Sequence, residues 1–331
     1  MKFLAYYHKN GKFMTLQCPQ CSQVIILSAD IAICTTCNQK WPVEYGIPII
    51  CRKHYQTYFA DELNPELSKT LILKAESEGW QNGLKNVLRF LPKGNAEYLS
   101  KYICGQQRTL ALYLLDVSPN HIILDHGCGW GNITCYLASQ VKTVVAMDLV
   151  TYRSRFTQIR GLQSGLNNII PVISGDYPKL PFLDNSFDSV IMNGVLEWIP
   201  YNVEGDPYLI QAKRLEEIAR LLKPGGQLLL AIENRYWWRY FLGNPEVHTG
   251  IPYISIIPRC LANIWARLLG YNSFRAYTYS LWGYKHLLRR CKFKEIQCFL
   301  VFPEYNFPEI IIPISQSMIL PECKRDFKKN L

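Results

Sequence analysis

The stretch I-I-L-D-H-G-C-G-W-G at residues 122–131 decides the fold. An apolar strand ends on Asp125 and breaks into Gly127, Gly129 and Gly131, positions without a Cβ, as needed where a strand turns sharply into a helix and its backbone approaches a ligand. Downstream, Ile133, Leu137 and Ala138 recur at helical spacing, and residues 144–147 form a second apolar run that ends in Asp148. Strand, glycine turn, helix and strand make half of a doubly wound α/β sheet. Asp148 stands twenty-one residues beyond Gly127, where an acid at the tip of the second strand accepts hydrogen bonds from ribose hydroxyls. For the glycine run taken alone, a turn with no ligand is the competing reading.

The loop departs from the dinucleotide pattern G-x-G-x-x-G, which requires glycine at position 132, where Asn132 stands. Asp125 would also repel a pyrophosphate. S-adenosylmethionine (SAM) has no phosphate and carries an ammonium and a sulfonium, which an acid suits. With this the chain resembles the class I SAM-dependent methyltransferases, of the type 11-like kind, over residues 98–314. Four more segments match in order: V-V-A-M-D (144–148), G-D-Y-P-K-L-P-F-L-D-N-S-F-D (175–188), I-M-N-G-V-L-E-W-I-P (191–200) and L-L-K-P-G-G (221–226).

The resemblance implies a Rossmann-like α/β fold with a seven-stranded twisted sheet. It implies that the loop of Gly127, Cys128, Gly129 and Gly131 lines the cofactor site. It assigns Asp125 to the amino-acid part of SAM, Asp148 to the ribose, and Asp176, with Tyr177 beside it, to the adenine amino group. Asn193 would border the methyl-transfer site. Where the family has L-E-H-I, this chain has Leu196, Glu197, Trp198 and Ile199, so no imidazole is expected there and Trp198 is expected to pack.

The secondary-structure pattern agrees independently. Residues 169–173, 189–192 and 227–232 are short apolar runs bounded by Gly, Pro, Asn or Asp, as buried parallel strands are. Leu209, Ala212, Leu215, Ala219 and Leu222 draw a helical stripe ahead of Pro224. A helix over 281–290 leads to strands at 295–302 and 310–314, which the resemblance makes an antiparallel edge hairpin of the sheet.

At the amino end, Cys18, Cys21, Cys34 and Cys37 form two C-x2-C pairs twelve residues apart. Each pair aims two thiolates at one point, and two such knuckles make a tetrahedral S4 site suited to structural zinc. Iron or a pair of disulfides would use the same sulfurs. The segment resembles the zinc ribbon of bacterial rRNA guanine methyltransferases and of the small subunits that activate several methyltransferases. There the metal replaces a core that roughly forty residues cannot supply.

These signals divide the chain into a zinc ribbon (1–51), a helical connector or cap (52–97) and a methyltransferase domain (98–331) with an insertion at 234–280. Leu71, Ala75, Leu84 and Leu88 of the connector are expected to pack. The insertion leaves the carboxyl edge of the sheet, where open α/β folds bind ligands, and is too long for a plain connection. It interleaves Tyr236, Trp237, Trp238, Tyr240, Phe241, Tyr253, Trp265, Tyr271, Phe274, Tyr277 and Tyr279 with Arg235, Arg239, Arg259, Arg267 and Arg275. Such a set stacks on bases or sugars, lies peripherally at a membrane surface, or forms a small core of its own.

The chain has 331 residues, a net charge of +10 and twelve cysteines, eight of them scattered outside the ribbon pattern. Unpaired cysteines point to a reducing cytoplasm. No signal peptide is recognised and no apolar run is long enough to span a bilayer, residues 251–271 being interrupted by Pro258, Arg259 and Arg267. Residues 281–294 carry five basic side chains and no acid, a run that reads either as a solvated helix face or as a polyanion contact.

The leading functional expectation is O-methylation of a glycan or small hydroxylated metabolite. One alternative is methylation of an rRNA or tRNA base with the ribbon anchoring RNA. Another is a non-catalytic adaptor in which the ribbon docks a partner. SAM already carries an excellent leaving group, so a base is optional. For a hydroxyl acceptor the candidates are His248 and Glu197, with Glu233 as a further one.

Overall fold

The computed structural model describes residues 14–57, 62–271 and 274–314. The ends assigned to the ribbon (1–13) and to the catalytic domain (315–331) lie outside the described residues. Five short strands come first: β1 (Leu16–Gln17), β2 (Val24–Leu27), β3 (Ile31–Cys34), β4 (Lys40–Glu44) and β5 (Ile47–Ile50). Helices α1 (Pro65–Glu78), α2 (Trp80–Leu88) and α3 (Lys93–Cys104) and a 3-10 helix (Gln106–Leu114) follow. The alternating core is β6 (Ile122–His126), α4 (Asn132–Ala138), β7 (Thr143–Asp148), α5 (Thr151–Gln163), β8 (Ile169–Ser174), β9 (Phe187–Asn193), α6 (Pro207–Leu221) and β10 (Leu222–Ala231). The chain continues through α7 (Trp238–Phe241), α8 (Arg259–Leu268) and α9 (Leu281–Arg290) to β11 (Phe299–Phe302) and β12 (Ile310–Pro313).

The doubly wound core forms as expected, but the sheet does not have seven strands. One ten-stranded sheet runs β1-β2-β3-β4-β5-β8-β7-β6-β9-β10, and β11-β12 stands apart as a two-stranded sheet. Two facts explain the difference. The last ribbon strand adds to the core edge, Ile49 and Ile50 of β5 pairing in parallel with Ile173 and Ser174 of β8. The late hairpin is short and flanked by Pro303, Pro308 and Pro313, which cannot donate to a ladder, and its first strand starts at Phe299 rather than at 295. Its turn is tied to the site instead, as described below.

Strands β6 to β9 are buried on both faces, which is why they read as continuous apolar runs, whereas β10, at the sheet edge, is largely half-buried. Helix α6 is capped by Asp206, whose side chain accepts from the Leu209 N–H, and buries Ala212, Leu215, Ile218 and Leu221. Leu209, counted in the expected stripe, lies on the exposed side, as its place in the first turn beside the cap allows. Pro224 stands two residues beyond the C-cap Leu222, where the helix cannot continue. The helix stops at Leu221, and residues 223–226 form an irregularity within β10 where the register against β9 shifts.

The connector packs on the core. Leu71, Ala75 and Leu84 are buried with Trp130, Phe156 and Ile159, and Leu88 packs against the same cluster. Glu62 fastens the segment by accepting from Trp130 Nε1 (3.1 Å) and Arg153 Nη2 (2.8 Å). Among the described residues no helix is long and apolar enough to cross a membrane.

Candidate functional site

Between β6 and α4 the backbone is left-handed at Gly127 (φ 82°), Gly129 (φ 51°) and Gly131 (φ 77°). At Gly127 a Cβ would lie 2.3 Å from Cγ2 of Val195, and at Gly131 one would lie 2.8 Å from Thr157. Both positions therefore require glycine for conformation and for space. Asp148, at the tip of β7, accepts from the Gly129 N–H (2.8 Å) and the Val150 N–H (3.0 Å), so it shapes the loop as well as facing it. The Cys128 side chain is buried, and its N–H donates to the Met147 carbonyl (3.1 Å).

Asp125 is buried at the end of β6, where it accepts from Thr134 Oγ1 (2.6 Å). Burial pushes its pKa up to about 6, against the opposing effects of the Thr134 hydroxyl and the Arg108 charge. Arg108 is itself buried and lies 3.9 Å above the Tyr102 ring, whose hydroxyl faces Gly129.

Asp176 and Tyr177 follow β8, the neighbour of β7. Asp176 is buried and accepts from the N–H groups of Arg52 (2.9 Å) and Lys53 (3.0 Å), just past the ribbon's last strand. Arg214 of α6 holds this corner by donating to the carbonyls of Gly175 and Tyr177, both at 2.8 Å. Burial, with the charges of Asp176 and Asp148, pushes the Cys51 thiol up. Asn193 ends β9, its Oδ1 buried and without a hydrogen-bond partner among the described residues.

The candidate bases, far apart in sequence, meet in one cluster. Glu197 follows β9, Glu233 follows β10 and His248 comes from the insertion. Nε2 of His248 lies 3.7 Å from Glu197 and 3.9 Å from Glu233, while Nδ1 is hydrogen-bonded to Glu246. Burial opposes a charge on His248, but the nearby Glu197 and Glu246, with Glu233, outweigh it and raise its pKa to about 11. Trp198 packs as expected, its ring edge-on to the His248 imidazole at 4.7 Å.

The cluster adjoins the glycine loop. Val195 abuts Gly127, and a Cβ on Gly194 would lie 2.8 Å from the Tyr305 hydroxyl, which donates to Glu233 (2.8 Å). Tyr305 and Asn306 belong to the turn of the late hairpin, and Asn306 accepts from Arg108 (2.9 Å). Sequence reasoning missed Tyr102, Arg108, Arg214, Glu246 and Tyr305, since none stands in a local motif. Glu246, two residues before His248, carried the only readable signal.

The insertion divides its aromatic residues between two roles. Phe274 and Tyr277 join Ile251, Ile254, Ala262 and Ala266 in a small core, whereas Tyr236, Trp238, Phe241 and Trp265 are exposed. Three of its arginines staple backbone: Arg235 to Ser255 and Ile257, Arg259 to Thr278, and Arg275 to Pro200, Val203 and Gly205.

In the ribbon, Cys18 Sγ is 3.6 Å from Cys37 Sγ and Cys21 Sγ is 3.3 Å from Cys34 Sγ, with all four sulfurs within 4.8 Å of one another. Bonds of about 2.3 Å to a tetrahedral zinc put sulfurs roughly 3.8 Å apart, and a disulfide would hold them at about 2.05 Å. The four thiols therefore fit a metal better than two disulfides. Each knuckle turns back on itself, Ser22 and Asn38 donating to the carbonyls of Cys18 and Cys34 at 2.9 Å.

Residues 124–230, which hold the glycine loop, Asp148, Asp176 and Asn193, match the family profile described as Methyltransferase domain. Over these residues the parallel core is similar to that methyltransferase family. The chain is 30% identical over 151 residues to the biotin biosynthesis bifunctional protein BioHC of Cellvibrio japonicus, covering 44% of this chain and 27% of that protein. It is 33% identical over 129 residues to the methyltransferase GfsG of Streptomyces halstedii (38% and 43%), and 34% identical over 114 residues to a demethylmenaquinone methyltransferase of Symbiobacterium thermophilum (34% and 42%). The matched stretch thus spans less than half the length of these relatives. Among solved structures, a putative methyltransferase from Bacillus halodurans is similar with a TM-score of 0.41 at 20% identity, covering 60% of this chain and 76% of that one.

Proposed function

We propose that the chain is a SAM-dependent methyltransferase acting on a hydroxyl of a glycan or similar small hydroxylated metabolite, with a structural zinc ion in its ribbon. The observation that carries this reading is the continuity of the two halves of the site. The glycine loop with Asp125 and Asp148 lies against Val195, and two residues further on stands Glu197, in a buried cluster with Glu233 and His248.

When bound, SAM supplies an electrophilic methyl group on a sulfonium. Asp148 is placed to accept from the ribose hydroxyls, and Asp125, in its charged form, to attract the ammonium. Arg108, close to Asp125, suits the cofactor's carboxylate. Asp176, already accepting two backbone N–H groups, retains acceptor capacity for the adenine amino group. The insertion, through His248, and the hairpin turn, through Tyr305, would border the acceptor.

The test is transfer of radiolabelled methyl from SAM into a deproteinised cell extract, fractionated into RNA, envelope glycan, lipid and small metabolites. Label in the glycan or metabolite fraction is expected. Label removed by ribonuclease would overturn the hydroxyl reading in favour of an RNA base.

A further inference from the structure

We propose that Glu197, Glu233 and His248 form a site for one divalent transition-metal cation, which takes a hydroxyl oxygen of the acceptor as a further ligand. The second half of this proposal rests on the methyltransferase reading; the first does not.

The strongest argument is the state of Glu197. Its side chain is fully buried, yet neither carboxylate oxygen has a hydrogen-bond partner among the described residues. Burying a carboxylate without donors costs several kcal/mol, so such a group is normally paired or bound to a metal. His248, at 3.7 Å, is near enough to pair its charge with Glu197 but beyond hydrogen-bond reach, so both carboxylate oxygens still lack a donor. Oε2 of Glu233 is in the same condition, while its Oε1 takes the Tyr305 hydroxyl, which fixes how the carboxylate is turned.

Three ligand atoms therefore face a common point from three segments, all within 4.8 Å of one another. Around an ion with bonds of about 2.1 Å, ligand atoms lie roughly 3 to 4.2 Å apart. The 3.7 and 3.9 Å separations from His248 Nε2 fall in that range.

The surroundings of His248 complete the pattern. Glu246 takes Nδ1, leaving Nε2 for the cluster, and Glu246 is itself held by the N–H groups of His248 (3.1 Å) and Thr249 (2.9 Å) and by the Thr249 hydroxyl (2.8 Å). A carboxylate behind the imidazole is the arrangement that orients metal-binding histidines. Two carboxylates and one imidazole favour manganese, iron or zinc over calcium, and three protein ligands leave open positions. A hydroxyl held at one of them would give up its proton to water more readily. Its oxygen then attacks the methyl carbon, the O–C bond forming as the C–S bond breaks and its electron pair passes to sulfur.

The test uses the full chain with its ribbon zinc in place and Mn2+ as probe, because thiolate sites bind it weakly. Electron paramagnetic resonance titration should show one bound Mn2+ per chain. Glu197→Gln should abolish it and Glu246→Gln weaken it about tenfold. Glu233→Gln serves as second ligand variant in case Glu197→Gln fails to fold. Absence of Mn2+ binding by folded wild-type protein, or binding unchanged in folded Glu197→Gln or Glu233→Gln, would overturn the proposal. Calorimetry with S-adenosylhomocysteine on the same samples separates the two claims. Metal bound without that ligand would sink the methyltransferase reading and leave the metal site standing.

Discussion

Replacing Asp125 by asparagine should stabilise the protein at pH 8 while costing it cofactor affinity. Asp125 is buried, and its carboxyl is held at about 6 against an ordinary value of 3.8. A difference of 6 − 3.8 = 2.2 units corresponds to about 3 kcal/mol of destabilisation once the group is ionised in both folded and unfolded chains. The sign follows from where each state ionises. Below pH 3.8 the carboxyl is neutral in both states, and wild type and variant should be nearly equal. Between pH 3.8 and 6 the unfolded chain ionises first, so wild-type stability falls relative to the variant, and above pH 6 the gap levels off. Asparagine keeps an acceptor for Thr134, so the contact at 2.6 Å survives. Urea unfolding at pH 4, 5, 6 and 8 without cofactor measures this, with about 3 kcal/mol as the upper bound at pH 8. A variant less stable at pH 8, or a gap that does not grow with pH, would refute a charge held in place against desolvation.

Three further outcomes are expected. Gly127→Ala forces a Cβ to within 2.3 Å of Val195 at a left-handed backbone position, and should cost about 1 to 3 kcal/mol in thermal unfolding together with cofactor binding. Cys34→Ser should release the ribbon metal, measured by chelator-dye assay, and weaken SAM binding without abolishing it, because the strand leading to the Arg52 and Lys53 contacts with Asp176 starts in the ribbon. Leu215→Ala, in the fully buried face of α6, should lower stability by about 2 to 5 kcal/mol and leave cofactor affinity of the folded fraction unchanged.

The parallel core and the glycine loop were readable because both are local. Alternation of apolar runs with Gly, Pro and Asp marks β6 to β10, and the loop's glycines sit at adjacent odd positions. The sheet's extent was not readable. Whether Ile49 and Ile50 close the ribbon or extend the core depends on the edge of β8, where Ile173, the partner of Ile49, is 124 residues away. The same holds for the site. His248, Glu197 and Glu233 were separate candidates in sequence, and only the turn of the insertion over β9 and β10 brings them together. The arginines of the insertion misled for a related reason: composition does not reveal that Arg235, Arg259 and Arg275 spend their donors on local carbonyls.

Calorimetric titration of the full chain with SAM, alongside Asp148→Asn, decides whether the glycine loop and Asp148 hold the cofactor. Asparagine retains an acceptor for the Gly129 N–H and loses the one for the Val150 N–H, and circular dichroism establishes that the variant is folded before affinities are compared. One SAM should bind per wild-type chain, and the variant's affinity should be lowered at least tenfold. Absence of binding by folded wild-type protein, or equal affinity in the two, would contradict this.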